Sequence, residues 1–325
     1  MLNFILLYIM KIVVTGGSGM VGNNIKDIIN SNKYLTNSDV ENFHFLSSKD
    51  VDLTNREDVL NFFKDKKYDY IIHLAANVGG LYKNMAGNIE MFSSNIKINE
   101  NVLEACHLNG IKRGIFCLSS CIYPANPSKF PMDETMIHES PPHSSNEGYA
   151  YAKRMLELQC RQYNKSYGYA FYCVVPVNLY GKYDYFNLKN GHFIPMIMHR
   201  FHLSRNYDVL TAYGSGKPLR QFLYARDFAE IILYILFNEK IPVQTIICCD
   251  NNEYEIKDIV HKLLDIMELS KEKLSWLTEY SDGCMKKTVT NKKLLSLMGV
   301  KFTDLDEGLK ETYEWFKENY NTIRK

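Results

Sequence analysis

Lys11-Ile-Val-Val-Thr-Gly-Gly-Ser-Gly-Met-Val-Gly-Asn-Asn-Ile25 is the stretch on which the fold turns. Four consecutive β-branched residues predict a buried strand, the glycines a tight turn, and the residues from about Met20 a helix. The glycines fit two spacings, through 16, 19 and 22 and through 17, 19 and 22. Either spacing lets a pyrophosphate approach the backbone, while the following helix offers its free amides and the positive end of its dipole. Gly16, Gly17, Gly19, Met20, Val21 and Gly22 are therefore the candidate cofactor cradle. A plain strand-to-helix turn needs one or two glycines, not four.

Outward from this turn the chain alternates. Strands are expected at 43–46, 70–75, 114–119 and 170–177, with helices at 56–64, 88–109 and 149–167 between them. Such alternation predicts α/β architecture, a parallel sheet covered on both faces. Beyond Asn178 the rhythm loosens into a helix at 193–203, a strand at 209–213, a helix at 227–237, a strand at 245–249 and helices at 256–267, 291–298 and 306–320. These predict a smaller second unit, with some segments returning to the first sheet. The division expected is 1–177 plus about 218–247 for the cofactor domain and about 178–217 plus 248–325 for the substrate domain.

The 325 residues, 46% hydrophobic and 13% aromatic, hold enough apolar surface for a globular core. Thirty-eight Lys and Arg against 37 Asp and Glu leave a net charge of +1, which speaks against a nucleic-acid binder. Any phosphate binding must be local. The longest apolar run, Phe4 to Met10, is about a third of the ~20 residues a membrane span needs, so no membrane association is expected. That run lacks the basic start and cleavage site of a signal peptide and reads as a short extension, with Met10 an alternative start. The eight cysteines form no CxxC pair and sit mostly in apolar segments, which suits a reduced, cytoplasmic protein.

Chemistry is expected at three places. The second strand ends in Leu46-Ser-Ser-Lys49, where two hydroxyls and a cation suit a ribose 2′-phosphate and hence NADP; Asp50 keeps NAD open as the lesser reading. Asp52 and Leu53 would lie near the adenine. Tyr149-Ala-Tyr-Ala-Lys153 sets a phenol and an ammonium on one helix face, and the cation is expected to lower the phenol's pKa toward neutrality. Ser119 and Ser120, at a strand's end, supply a hydroxyl to polarise a carbonyl. YxxxK alone is often just a surface helix; its order after a glycine loop and a serine is what makes it specific.

With these motifs, and with Val78-Gly-Gly80, Ser119-Ser-Cys-Ile-Tyr-Pro124, Pro176-Val-Asn-Leu-Tyr-Gly181, Gly191-His-Phe-Ile-Pro195 and Gly214-Ser-Gly-Lys-Pro-Leu-Arg-Gln-Phe222, the chain resembles the extended short-chain dehydrogenase/reductase family. Within it the likeness is to the branch of GDP-sugar epimerase-reductases. The resemblance runs from residue 11 to about 230 and continues more weakly beyond. It implies a Rossmann-type doubly wound parallel sheet with a smaller C-terminal α/β domain for the substrate. It also implies a two-part reaction on GDP-4-keto-6-deoxy-D-mannose, epimerisation at carbons 3 and 5 followed by NADPH-dependent reduction at carbon 4 to GDP-L-fucose. Cys121 and His192 match the family's proton-transfer pair, Tyr149, Lys153 and Ser119 its reduction triad. Asn178, His192, Arg200, Arg220 and Lys287 fall where the family contacts the nucleotide sugar, and the helix at 88–109 pairs with that of Tyr149 in a homodimer. Gly148 stands where many relatives have proline, and Tyr213 where tryptophan is frequent.

Other readings stay open at this stage. A nucleotide-sugar 4-epimerase or dehydratase of the same family would recycle NAD and needs no Cys121 and His192 pair. A silent NADP-sensing module would be expected to lose Tyr149 or Lys153, and both are present. Cys121 could be a packed core residue. His192, His199 and His202 have no acidic cluster nearby, and no metal site is expected.

Overall fold

The computed structural model describes residues 10–31 and 42–325; the apolar run at 4–9 lies outside the described residues. Strand β1 (Ile12–Thr15) is wholly buried and leads through the glycine turn into helix α1 (Met20–Ser31). β2 (Phe43–Leu46), α2 (Arg56–Phe63) and β3 (Tyr70–His73) follow, then two helices in succession, α3 (Leu81–Ala86) and α4 (Asn88–Leu108). β4 (Arg113–Cys117), α5 (Glu147–Tyr167) and β5 (Ala170–Pro176) continue the alternation, and α7 (Ala225–Phe237) and β10 (Thr245–Cys248) complete it. The six strands pair in parallel in the order β10-β5-β4-β3-β1-β2. The order reverses between β1 and β3, so the crevice beyond their C-terminal ends is where such a sheet takes its ligand.

Both faces of the sheet are covered, as the near-continuous burial of its strands requires. α1 packs on α7, while α2, α4 and α5 pack together. In α7, Phe228, Ile232, Ile235 and Leu236 are fully buried, each contributing roughly 1.5–3 kcal/mol by removal from water. A second apolar cluster gathers around α6 (Phe193–Ser204), β7 (Leu210–Tyr213), α8 (Ile256–Ile266) and α10 (Leu305–Glu318). Three two-stranded pairings stiffen it: β7 with β12 (Leu274–Leu277), β6 (Asn178–Tyr180) with β9 (Phe222–Tyr224), and β8 (Leu219–Arg220) with β11 (Tyr254–Glu255). The chain does not pass from one cluster to the other once. Leu223, α7, β10, Val289 and Leu294, the last in α9 (Lys292–Leu297), side with the sheet.

The expected strands and helices are present, with ends that coincide or are shifted by one or two residues. The helix α3 and the short strands β6, β8, β9, β11 and β12 have no counterpart in the sequence reading. Helix α4 also divides differently from its apolar pattern. Val102, Leu103 and Cys106 are buried, whereas Ile89 is 75% exposed and Phe92 is also exposed; Asn95, Asn99 and Asn101 are buried in their place.

Candidate active site

The cradle is set by space. Gly16 has φ +70°, which side chains rarely adopt, and a Cβ there would lie 2.8 Å from the Ala75 nitrogen. A Cβ on Gly22 would lie 2.6 Å from the Gly17 oxygen, so the helix can enter this close only as glycine. The Gly17 N–H donates to the Leu46 oxygen at 2.7 Å and that of Gly19 to the Gly16 oxygen at 2.9 Å. No acidic residue stands in the first turn of α1, which leaves its positive end free for an anion.

This loop opens onto a cleft of about 1170 Å³ that runs from Gly16, Ser48 and Asp52, past Ser119, Tyr149 and His192, to Arg220 and Lys287. Its walls hold three buried polar atoms without a partner, Asn84 Oδ1, Asn146 Oδ1 and Asp184 Oδ2. Such atoms are costly unless a ligand meets them, so the cleft fits a large polar molecule. Glycine cradle, anion-ready helix end and cleft length together suit a dinucleotide.

Ser119 lies just beyond β4, and its hydroxyl accepts the N–H of Cys121 at 3.4 Å, capping a single 3₁₀ turn that carries the cysteine. Tyr149 and Lys153 lie one turn apart on α5. The Lys153 ammonium is buried, donates to the Cys117 oxygen at 2.7 Å and sits 5.9 Å from the Tyr149 ring centre. The expectation that the lysine lowers the phenol's pKa is not met. Burial pushes the phenol well above its usual value, and Cys121 and Cys117 push the same way. Burial in turn lowers Lys153. Desolvation wins because the ammonium is aimed at a carbonyl rather than at the phenol.

Cys121 is raised by burial, opposed by Lys287, Ser119 and Lys153; His192 is lowered by burial and by Lys83. The thiol thus keeps its proton and the imidazole is neutral. Between them one group holds a proton and one can take it.

Arg220 and Lys287 are half-buried cations, both lowered by burial, and Arg220 also lowers Lys287. Neither has a carboxylate partner among the described residues. Two cations left unpaired in a cleft suit a diphosphate. Asn178 lines the cleft, its amide donating to the Gln221 oxygen at 2.8 Å.

Several expected residues lie elsewhere. Gly17 and Lys49 are not in the cleft wall; a Cβ on Gly17 would meet that of Phe45 at 2.7 Å, so this glycine serves helix-strand packing. Asp50, the lesser candidate for a ribose contact, turns back to accept from the Ser47 N–H and hydroxyl, both at 2.7 Å. Arg200 lies behind the wall with its guanidinium 3.7 Å over the Tyr213 ring. His199 is taken by the Phe186 oxygen and the Tyr320 hydroxyl, and His202 by an aromatic cluster. Among the described residues no group of three or more His, Cys, Asp or Glu is disposed to hold a metal.

Sequence reasoning missed a buried polar chain behind Lys153. The Asn99 amide donates to the Ala152 oxygen at 3.4 Å, which fixes its oxygen toward His73 Nε2 at 3.2 Å, while His73 Nδ1 lies 2.7 Å from the Thr15 hydroxyl. His73 is pushed down to about 3 by burial and by Lys153. It is neutral, with Nε2 donating and Nδ1 accepting from Thr15. The asparagines spaced along α4 among its apolar positions, Asn95 and Asn99 beside Ile98 and Val102, were the available signal.

These features define a nucleotide-dependent oxidoreductase or epimerase built on a doubly wound sheet. Residues 12–248 match the NAD dependent epimerase/dehydratase family, and the chain belongs to it. It is 43% identical over 319 residues to the GDP-L-fucose synthase of Dictyostelium discoideum, covering 97% of each chain. It is 38% identical to the probable GDP-L-fucose synthase of Drosophila melanogaster, covering 97% of this chain and 99% of that one. A crystal structure of a GDP-L-fucose synthetase from Naegleria fowleri bound to NADP superposes with a TM-score of 0.86 at 34% identity, covering 98% and 97%. Among the described residues no helix is long and apolar enough to cross a membrane.

Proposed function

We propose that this protein is a GDP-L-fucose synthase, which inverts carbons 3 and 5 of GDP-4-keto-6-deoxy-D-mannose and reduces carbon 4 with NADPH. The observation that carries the reading is a proton-holding thiol and a neutral imidazole, Cys121 and His192, in one cleft with Ser119, Tyr149 and Lys153. A plain 4-epimerase has no need of that pair. The likeness to GDP-L-fucose synthases over nearly the whole chain supports the same substrate, and the NADP in the Naegleria structure supports the cofactor.

NADPH, when bound, supplies a hydride to the keto carbon. The loop Gly16 to Gly22 would hold its pyrophosphate, with Ser48, Asp52 and Leu53 around the adenosine and Tyr149 and Lys153 at the nicotinamide ribose. Arg220 and Lys287 bind the substrate's diphosphate, beside Asn178. The 4-keto group acidifies the hydrogens on carbons 3 and 5, and Cys121 and His192 take and return these protons through enolates. Ser119 bonds the keto oxygen, and Tyr149 then gives that oxygen its proton. A phenol held above its usual pKa stays protonated until it is needed, as a proton donor must.

The sheet-centred cluster with α7 and β10 is assigned to the cofactor and the second cluster to the sugar nucleotide. Free, mostly buried cysteines support a cytoplasmic location. The exposed apolar side of α4 and α5, with Ile89, Leu108 and Tyr167 uncovered, supports a homodimer through these helices. The test is NADPH oxidation with GDP-4-keto-6-deoxy-D-mannose, with product analysis. GDP-L-fucose is expected; an unchanged NADPH signal overturns the reading.

A further inference from the structure

His192 stands at the head of α6, caps no amide of that helix, and its side chain has no hydrogen bond among the described residues. With no hydrogen bond to hold the ring, the position of the backbone at 190–192 sets how far the imidazole can reach. The chain just before it is wedged between two surfaces. On one side the Gly191 N–H donates to the Asn187 oxygen at 3.0 Å. A Cβ on Gly191 would lie 2.6 Å from that oxygen and 2.7 Å from that of Tyr185. On the other side the Gly80 N–H donates to the Asn190 oxygen at 3.0 Å, and a Cβ on Gly80 would lie 2.3 Å from the Gly191 oxygen. Gly80 has φ −66° and ψ −179°, a conformation any residue adopts, so space and not backbone freedom is what demands glycine here. Gly80 is itself clamped, since the Asn84 amide donates to the Gly79 and Gly80 oxygens at 2.8 and 3.0 Å.

We propose that Gly80 is a positioning residue for His192: its bare backbone sets the 190–192 loop at the depth that lets the imidazole reach the substrate. The proposal rests on the epimerase-reductase reading. A methyl group at Gly80 forces a retreat of about 1 Å before carbon and oxygen regain ordinary contact. Proton transfer needs heavy atoms within roughly 2.6–3.2 Å, and a displacement of about 1 Å can cost on the order of 100-fold in rate. Ser119, just beyond β4, is held by the Cys121 N–H and Lys153, on α5 with Tyr149, by the Cys117 oxygen, none of them through the Gly80–Gly191 contact, so reduction should be spared.

The experiment compares Gly80→Ala, Gly87→Ala and His192→Asn in heavy water. It reads deuterium incorporation at carbons 3 and 5, NADPH affinity, and reduction of the already epimerised 4-keto sugar. In Gly80→Ala, incorporation is expected to fall 10- to 100-fold toward the His192→Asn level, with NADPH affinity and reduction near wild type. Gly87→Ala, where a Cβ meets only ordinary contacts at 3.5 Å or more, should match the wild type. If Gly80 acts through His192, adding Gly80→Ala to His192→Asn costs nothing further. Should Gly80→Ala fail to fold, Gly191→Ala, whose Cβ would lie 2.6 Å from the Asn187 oxygen, displaces the same loop from its other side and must give the same selective loss. Equal loss of incorporation and reduction, a further loss in the His192→Asn background, or undiminished incorporation overturns the proposal alone. Wild-type protein that neither exchanges nor oxidises NADPH overturns the reaction reading and the proposal with it.

Discussion

Tyr149 and Cys121 lie in one cleft, and the proposed mechanism assigns them different bonds of the sugar, so their loss should separate the two halves of the reaction. Tyr149→Phe keeps the ring and removes the acidic proton; reduction should drop by ~100- to 10,000-fold while deuterium still enters carbons 3 and 5. Cys121→Ala should do the reverse. Mass spectrometry of the recovered sugar distinguishes them, and wild-type incorporation in Cys121→Ala would make that cysteine a packing residue. Asp184 is another case where surroundings decide behaviour. It is buried, one of its oxygens has no partner, and burial pushes its pKa up to about 7. A raised pKa means stability that is present below about pH 4 and is lost as pH rises through 7. Asp184→Asn should therefore unfold like wild type near pH 4 and become the more stable protein by pH 7.5. The limit is about 4 kcal/mol, at ~1.4 kcal/mol per pKa unit; urea unfolding at several pH values checks it, and parallel curves would refute it. Tyr149 and Lys153 could be read in the sequence because one helical turn relates them. Lys49 and Arg200 could not, because chain position does not say which way a long side chain leaves the backbone. Asp184 has no local signature; its burial depends on a loop folded against α1, where the Asn24 amide reaches the Lys182 oxygen at 3.4 Å.

At the scale of elements, β1, β3 and α4 are joined by the chain of Thr15, His73 and Asn99. His73→Leu fills similar space but leaves a buried hydroxyl and a buried amide oxygen unmet, each worth about 1–3 kcal/mol. A loss of roughly 2–4 kcal/mol in urea unfolding is expected, and a change under 1 kcal/mol would show that water takes over the role. Elements with a sustained pattern were legible: β1, β3, β5 and β10 through their β-branched runs, α5 and α7 through their apolar stripes. α3 was not, since its six residues give too little periodicity and Gly80 and Gly87 bracket it. Neither were β8 and β11, because two-residue strands are made by the partner they meet, not by their own propensity.

For the whole molecule, the uncovered apolar residues of α4 and α5 predict association. Light scattering should give twice the chain mass of 37.8 kDa, and Ile89→Arg combined with Phe92→Glu should shift it toward the monomer. A monomeric wild type would refute the helix-paired dimer. The order of the sheet bears on something else. β10, at one edge, is laid down after α6, β7 and β9 have gone to the other cluster, and it pairs with β5 through Thr245 to Cys248. A fragment cut after β5 would lack that strand and α7 together, baring the flank of β5 and the apolar surface that Phe228 and Ile232 cover. The two halves are therefore not separable goods: expressed alone, the first 177 residues should aggregate through an open strand edge, and protease nicking between the clusters should leave the pieces associated.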